Sequence, residues 1–324
     1  SSDVCSSDLY LSTVNGIYSS QDLDEYALRL LFCFLIYRLA EDTTYLRERD
    51  QIRQIILFYQ RNSPAKLNSS DRWKGSLCAS IYNLFLDFAS KYGGGLFSSL
   101  KNDLVLSDRT LVEIGGKIYQ LRFSPFQITL LPRFYEELRG EMEAQAPSGT
   151  VRMRKAAGMY YTPSYLADYL TWEVMKPELA AVQKMLNQAL EEKDSLLFLR
   201  GLKRLKKLKI LDPACGTGVF LLSAFSQYLN FYQTKLKPLI DKGFSQFYLE
   251  AAEIKTDPVS FLEQLFGVDL DVLALEIGKH ALFIFLCSRL GLVPSFPLLT
   301  FINLKEGNSL FCPPLEGGQS PEKI

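Results

Sequence analysis

One stretch near the middle of the chain restricts the possible fold more than any other. A short apolar segment, 208–211, leads directly into a glycine loop, 212–218, with the sequence Asp-Pro-Ala-Cys-Gly-Thr-Gly, and residues 219–229 then have helical spacing. A second apolar segment, 265–268, ends at Asp269 and is followed by another helical stretch. This order of strand, glycine loop, helix, strand, acid and helix is typical of the start of a doubly wound sheet. The sequence therefore predicts an α/β Rossmann-like domain here.

The residues around the glycine loop limit the ligand that it can bind. Gly216 and Gly218 permit positive φ angles and close backbone approach, and the helix after the loop offers unpaired N–H groups and a partial positive charge. A Walker loop would continue with Lys and Ser or Thr, but Val219 and Phe220 stand there. Leu221 takes the place of the third glycine of the dinucleotide fingerprint, which disfavours pyrophosphate binding.

Two acidic residues favour a cationic ribonucleoside as the ligand. Asp212 places a carboxylate directly before the loop, where it suits a cationic group better than a phosphate. Asp269, at the end of the next predicted strand, is positioned to accept two hydrogen bonds from ribose hydroxyls. A ligand with an ammonium, a sulfonium and a ribose satisfies both residues. We therefore predict that the cofactor is S-adenosylmethionine.

The amino-terminal half has a different pattern, mostly helical from residue 22 to about 142. Two sets of apolar residues with helical spacing show this pattern: Ile52, Ile55, Ile56 and Tyr59, and Ile81, Leu84, Phe85 and Phe88. A short alternating run at 118–123 predicts a hairpin strand. Residues 146–149 have the composition of a loop. We therefore divide the chain into an artefact or linker (1–9), a mostly α-helical domain (10–149) and the α/β domain (150–324).

Charge and cysteine content exclude several classes of protein. The 36 Lys and Arg residues balance the 36 Asp and Glu residues, which argues against nucleic-acid binding by bulk charge alone. The six cysteines form no Cys-x-x-Cys pair and His280 is the single histidine, so we expect no metal site, no disulfide framework and no histidine-based catalytic dyad. The reducing cytoplasm suits this cysteine usage, and no apolar run is long enough for a membrane span.

Four motifs in a fixed order resemble those of one enzyme family. Residues 212–221 look like the S-adenosylmethionine motif of N6-adenine-specific DNA methyltransferases, and 158–170 resembles the motif that the gamma class places just upstream. The stretch 267–270 matches the family's ribose-binding acidic motif, and 307–310 its adenosine-ring motif. Four motifs in the right order are far more specific than the glycine loop alone. In the upstream motif, Thr162 also reads as a helix N-cap followed by a proline at the first helical position.

The resemblance extends more loosely into the amino-terminal half. Residues 94–97 and 131–138 are similar to the helical connector of type IIG enzymes, in which a restriction endonuclease and a methyltransferase are fused. The resemblance implies an incomplete methyltransferase domain over 150–324, preceded by a helical connector domain over 10–149. A Mg²⁺ ion would be needed only by a nuclease domain fused upstream. The family also implies the prokaryotic cytoplasm and leaves the oligomeric state open.

The resemblance assigns cofactor contacts residue by residue. The cofactor-binding residues it implies are Tyr161, Thr162, Asp212, Ala214, Gly216, Gly218, Asp269 and Asn308. Thr162 would hold the methionine carboxylate with Tyr161 nearby, and Asp212 would bind the methionine amino group. The backbone of Ala214, Gly216 and Gly218 would line the cofactor, and Asp269 would bind the ribose. Asn308 stands where the family often has Asp, and its side-chain oxygen can still accept a hydrogen bond from the adenine amino group.

The family reaction transfers a methyl group to the N6 amino group of an adenine flipped out of double-stranded DNA. An Asn-Pro-Pro-aromatic tetrapeptide binds that base, and the 324 residues contain none. The segment Cys-Pro-Pro-Leu at 312–315 is a poor substitute, because Cys312 lacks the amide acceptor and Leu315 cannot stack on a base. We therefore expect the catalytic motif beyond Ile324, assign no catalytic residue here, and expect this chain to bind cofactor without methylating DNA.

Arg152, Arg154 and Lys155 lie beside the upstream motif and are the candidate DNA contacts. Two alternatives to a DNA methyltransferase stay open. The same fold methylates protein glutamine or RNA with a similar tetrapeptide, and a comparison of methyl acceptors separates these substrates. A non-catalytic remnant that only binds cofactor is the other alternative.

Overall fold

The computed structural model describes residues 20–43, 46, 49–62, 76–100, 108–124, 128, 130–145, 162–247, 257–291 and 302–310. The described part of the amino-terminal half contains six helices: α1 (Ser20–Asp42), α2 (Gln51–Asn62), α3 (Ser76–Tyr92), α4 (Gly95–Ser98), α5 (Asp108–Ile118) and α6 (Leu130–Gln145). The predicted linker at 146–149 and residues 1–9 lie outside the described residues. The division of the chain at 149/150 therefore stays a prediction.

The helical half is built around a cluster of aromatic side chains. Helix α1 is buried over nearly all of its second half, as expected for a segment that is apolar on every side. Phe34 and Tyr37 of α1 pack on Phe85 of α3, with ring centroids 5.3 and 5.9 Å apart. The two predicted apolar stripes lie on α2 and α3, where Ile52 and Phe85 are fully buried. These stripes are core, as the sequence indicated.

The hairpin strand predicted at 118–123 is wrong. Helix α5 ends at Ile118, and the residues after it form a turn and an extended segment without strand pairing. The polar groups of this segment bind the end of α1 instead: the Tyr119 hydroxyl donates to Glu41 at 2.7 Å, and the Phe123 N–H donates to Asp42 at 2.8 Å. Because these side chains satisfy the segment's polar groups, no strand partner is needed.

The carboxyl-terminal half contains a small parallel sheet surrounded by helices. Its elements are α7 (Ser164–Glu192), α8 (Ser195–Lys207), β1 (Ile210–Asp212), α9 (Val219–Phe231) with a π-helical turn (Tyr232–Leu236), α10 (Lys237–Phe247), α11 (Pro258–Leu262), β2 (Leu265–Asp269), α12 (Val272–Leu290) and β3 (Asn303–Glu306). The strand order is β1-β2-β3, and both pairings are parallel. The strand–loop–helix order is thus as predicted, with β1 beginning two residues later than expected.

The sheet is smaller than a complete doubly wound sheet. Three strands are present in the described part of the chain, and β1 pairs there with β2 alone. Leu211, in the middle of β1, is 63% exposed. The described residues therefore show a mostly helical protein with a three-stranded parallel sheet, which confirms in part the expected incomplete Rossmann-like domain preceded by a helical one.

Helix α12 connects the two halves. It packs beside β2 and β3 and also contacts α1, α4 and α6 of the helical half. The His280 ring is fully buried in this contact: it is stacked on Phe88 with centroids 6.4 Å apart and lies edge-to-face to Phe97 at 5.3 Å. Phe283, one turn further, packs 6.2 Å from Tyr92. The buried residues of both halves consequently form one continuous hydrophobic core.

Candidate functional site

Parallel strands bring three of the four predicted motifs to one edge of the sheet. Asp212 is the last residue of β1 and Asp269 the last of β2, while Asn308 follows β3 by two residues. Backbone hydrogen bonds join the loops at this edge: Cys215 N donates to Val268 O at 3.0 Å, and Gly307 N donates to Asp269 O at 2.9 Å. The carboxyl ends of parallel strands are the usual position for a ligand in this class of fold.

The glycine loop needs its glycines. Gly216 has φ +51° and Gly218 has φ +77°, in the left-handed region that favours glycine. The Gly218 N–H donates to Cys215 O at 2.7 Å, which closes a tight turn before α9. Behind the loop, a Cβ on Gly278 of α12 would lie 2.7 Å from the Thr217 carbonyl oxygen, so the helix backbone supports the loop directly.

Asp212 has an oxygen that no described group satisfies. Its Oδ1 accepts a hydrogen bond from Ala214 N at 3.1 Å, whereas its buried Oδ2 has no partner. Burial raises the pKa of the carboxyl group above its ordinary value, and the nearby Asp269 charge raises it further, against the lowering by the Ala214 N–H. A buried carboxylate oxygen without a donor is costly unless a cationic or donor group binds it.

Asp269 joins the two loops at the sheet edge. Its Oδ2 accepts from Gly216 N at 2.7 Å, and its Oδ1 accepts from Asp271 N at 2.9 Å. Each oxygen of an ionised carboxylate has a second lone pair, so two further donors can still bind. Asp269 is therefore able to accept a pair of hydroxyl groups without breaking the contacts that hold it.

Cys215 fills the space beneath the loop. A Cβ on Gly267 of β2 would lie 2.7 Å from its sulfur, so the thiol packs closely against the strand. Burial, together with the charges of Asp212 and Asp269, raises the pKa of the thiol to about 12. The side chain is thus a neutral thiol near neutral pH and a poor nucleophile, because the thiolate is the reactive form.

Thr162 is half-buried and lies just before α7, but it does not cap that helix. The N-cap residue is Pro163, with φ −55° and ψ 138°, and no side-chain cap bond forms. Leu166 N and Ala167 N donate to the Pro163 carbonyl oxygen at 3.0 and 3.1 Å. The predicted start is therefore wrong by one residue, because the extended ψ of Pro163 makes Ser164 the first helical residue. Tyr161 lies outside the described residues.

Asn308 is exposed, and its side chain is turned toward its own loop. Its Oδ1 accepts from Leu310 N at 3.0 Å, an Asx-type contact, and this oxygen retains one lone pair. The candidate DNA contacts Arg152, Arg154 and Lys155 lie outside the described residues, as does the 312–315 segment.

A basic groove lies away from this edge, where the chain enters β1. It encloses about 540 Å³ and is lined mainly by α8, with Arg200, Lys203, Lys207 and Lys209 among its residues. Arg204 is already paired there with Glu178, at 2.5 and 2.7 Å. Because the groove borders the beginning of β1, it is separate from the site at the strand ends.

The helical half also contributes to this edge, in a way that the four motifs do not indicate. The hydroxyl of Tyr135, on α6, donates to Asp271, the N-cap residue of α12. Nothing in the local pattern of α6 marks Tyr135 as more than a core residue. The resemblance of 131–138 to a connector helix was the one available signal.

Two absences concern only the described residues. No group of three or more His, Cys, Asp or Glu side chains in them is arranged to hold a metal ion. Within the same residues, no helix combines the length and the apolar character that crossing a membrane requires.

The known proteins that this chain resembles are described as DNA methyltransferases. Residues 186–309 match the family model described as the DNA-methyltransferase domain of MmeI. A protein of Methanocaldococcus jannaschii described as a type II restriction enzyme and methyltransferase is 29% identical over an alignment of 182 residues that covers 48% of this chain and 15% of that protein. DNA methyltransferase A of Bacillus subtilis is 24% identical over 279 residues, 83% of this chain and 28% of that enzyme. The chain thus spans less than a third of either relative.

One solved structure has a similar fold. The type IIL restriction–modification enzyme MmeI, determined in complex with DNA, superposes with a TM-score of 0.54 at 19% sequence identity. The match covers 91% of this chain and 38% of the MmeI chain, so it includes both the helical and the α/β half. At this level of identity the likeness shows the fold.

Proposed function

We propose that the chain is part of a type IIG-like restriction–modification methyltransferase and that its α/β half binds S-adenosylmethionine for methylation of adenine N6 in DNA. The family resemblance expected from the four sequence motifs is confirmed by the matched domain and the curated relatives. The cofactor, the adenine and the methyl transfer itself are our proposal. Double-stranded DNA with the target base flipped out is the proposed partner.

The unpaired Oδ2 of Asp212 carries this proposal. A buried carboxylate acceptor without a partner, beside the glycine loop, suits the ammonium group of the cofactor's methionine part. Asp269 would bind the ribose hydroxyls, the backbone of Ala214, Gly216 and Gly218 would line the ligand, and Asn308 would face the adenine ring. Thr162, with Tyr161, would hold the methionine carboxylate.

S-adenosylmethionine supplies an electrophilic methyl group on a sulfonium. The residues of this chain bind and orient it, and none is proposed to attack the methyl carbon. The neutral, buried thiol of Cys215 argues against a covalent enzyme intermediate and is compatible with direct transfer to the base nitrogen. Since the 324 residues contain no Asn-Pro-Pro-aromatic tetrapeptide, we expect cofactor binding without methyl transfer by this chain alone.

DNA contact is proposed for Arg152, Arg154 and Lys155, whose positive charges suit phosphate oxygens. Mg²⁺ enters the proposal only if a nuclease domain is joined to the same polypeptide.

Isothermal titration with S-adenosylmethionine tests the cofactor assignment. We expect wild-type protein to bind, and Asp212→Asn to lose about tenfold or more in affinity, because the neutral amide lacks the negative charge that strengthens a hydrogen bond from the ammonium group. Asp194→Asn is the matched control: Asp194 also accepts backbone N–H bonds, from Leu196 and Leu197 at 2.9 Å, but it caps α8 instead. Absence of binding by the wild type, or equal losses in both variants, would overturn the cofactor assignment.

Incubation with radiolabelled cofactor and different acceptors tests the substrate. We expect no label in duplex DNA with this chain alone. Label in adenine of duplex DNA would contradict the need for the missing tetrapeptide, and label in RNA or protein would favour the alternative substrates on the same fold.

A further inference from the structure

Helix α6 of the helical half reaches the edge of the sheet where the cofactor is proposed to bind. The Tyr135 ring is buried against Phe32, with centroids 5.7 Å apart in an edge-to-face arrangement. Arg139, one turn further along α6, has a guanidinium nitrogen 4.0 Å from Oδ2 of Asp271. Glu136 also lies close to the glycine loop, since a Cβ on Gly216 would be 3.9 Å from its Oε1. The helical half therefore borders both loops of the site.

Asp271 connects α6 with Asp269 through two hydrogen bonds, one made by its side chain and one by its backbone N–H. The Tyr135 hydroxyl donates to Asp271 Oδ2, and Asp271 N donates to Asp269 Oδ1 at 2.9 Å. Asp269 Oδ2 in turn accepts from Gly216 N at 2.7 Å. Asp269, the proposed ribose ligand, is thus held on one side by the glycine loop and on the other by the residue that Tyr135 contacts.

Asp271 is fixed from two directions. Its Oδ1 caps α12 by accepting from Leu273 N and Ala274 N at 3.0 and 3.1 Å, and its Oδ2 faces Tyr135. The two cap hydrogen bonds hold Oδ1 at the start of α12, and the Tyr135 hydroxyl determines where Oδ2 points. Because the Tyr135 hydroxyl is buried with this carboxylate, its removal would leave Oδ2 with the longer contact to Arg139.

We propose that Tyr135 is a positioning residue for the ribose contact: its hydroxyl fixes Asp271, and through Asp271 the carboxylate of Asp269, so that the helical half sets the affinity for the ribose of the cofactor. This inference rests on the proposed function, because the ligand is S-adenosylmethionine. It adds a residue from the opposite half of the chain, which the four motifs do not include.

Tyr135→Phe tests the inference, because it removes the hydroxyl and keeps the ring against Phe32. The probes are S-adenosylhomocysteine and its 2′,3′-dideoxyribose analogue, with dissociation constants measured by competition titration. We expect the variant to bind S-adenosylhomocysteine roughly three- to tenfold more weakly, the range for one lost hydrogen bond. Affinity for the dideoxy analogue should change by less than about twofold, because that ligand has no hydroxyl for Asp269 to bind.

Tyr119→Phe is the matched control. The Tyr119 hydroxyl likewise donates to a carboxylate, that of Glu41 at 2.7 Å, but both residues lie in the helical half, away from the proposed site. This variant should bind both ligands as the wild type does. Asp271→Ser is the second variant: its hydroxyl oxygen can still cap α12, but it has no second oxygen to accept the Tyr135 hydroxyl, so the same selective loss is expected even if Tyr135→Phe does not fold.

The outcomes separate the two proposals. If the wild type fails to bind S-adenosylhomocysteine, the proposed function is refuted and this inference with it. If the wild type binds but Tyr135→Phe weakens both ligands equally, or weakens neither, the inference alone is overturned.

Discussion

Asp212 shows how a single residue reveals the site. The sequence alone predicts its position after an apolar strand and before two glycines. The structure adds that its Oδ2 is buried without a partner. The same reading placed Asp269 correctly at the end of β2. Tyr135 was not readable, because its significance lies in a hydroxyl that meets a residue 136 positions further along the chain. Apolar spacing reports that a tyrosine ring is buried, but it does not report the partner of the hydroxyl.

The raised pKa of Asp212 predicts a pH-dependent affinity. The folded protein takes up a proton at Asp212 at higher pH than the unfolded chain, so the stability linked to that proton is present at low pH and lost as pH rises through the raised pKa. A cationic ligand requires the ionised form. Below the pKa, the affinity for S-adenosylmethionine should fall by about tenfold per pH unit.

The measurement is a series of titrations from about pH 7.5 downward to the lowest pH at which the protein stays folded. Asp212→Asn should show weak binding with little pH dependence. Wild-type affinity that stays constant across the series would contradict the role of Asp212.

At the scale of elements, the helices that could be predicted are those with many apolar residues and clear residues at their ends. The helical stretch predicted after Asp269 corresponds to α12, which Asp271 caps at one end and Gly291, at φ 62°, ends at the other. The predictions failed where side chains from another element decide the outcome. The 118–123 segment alternates like a strand, yet Glu41 and Asp42 of α1 bind its polar groups. Such contacts between distant segments leave no local pattern.

The contact between α12 and the glycine loop predicts a cost for one added methyl group. In Gly278→Ala the new Cβ would lie 2.7 Å from the Thr217 carbonyl oxygen, a backbone atom that cannot easily move. We expect a loss of about 1–3 kcal/mol in the free energy of unfolding and weaker cofactor binding, measured by denaturant unfolding and by titration.

Gly116→Ala is the matched control, since Gly116 is also helical and no atom lies within 4 Å of its added Cβ. This variant should be more stable than the wild type by about 0.5–1 kcal/mol, because alanine is the better helix former. A Gly278→Ala variant that is equally stabilised would show that the loop is not held by α12.

At the scale of the whole molecule, one buried carboxylate ties the halves together. Glu276 of α12 accepts hydrogen bonds from Gly95 N at 2.5 Å and Leu96 N at 3.1 Å, and pairs with Lys279 at 2.7 Å. Burial alone would raise the pKa of Glu276, but Lys279, with help from the Gly95 N–H, outweighs it and lowers the pKa. The ionised form of Glu276 is therefore the one that the folded molecule favours.

Replacing Glu276 by Gln should destabilise the protein by about 1–3 kcal/mol at neutral pH, since charge-assisted hydrogen bonds are lost. A lowered pKa contributes stability above the unfolded-state pKa, which is lost as pH falls through the folded-state value. The difference in the free energy of unfolding between wild type and variant should therefore become smaller at acidic pH.

Glu113→Gln, which removes an exposed charge 3.1 Å from Arg109, is the control and should lower the free energy of unfolding by less than about 0.5 kcal/mol. Equal costs for the two variants, by denaturant unfolding, would contradict this account of the junction.

The place of α12 between the halves decides how this protein can be divided. Cutting the chain at the predicted 149/150 boundary would take away α1, α3, α4 and α6, and with them the cover over His280 and Phe283, both fully buried in the intact chain. The isolated α/β half would expose apolar side chains along one side of α12. A truncated version of this protein, or a fusion with another recognition module, should therefore keep both halves together.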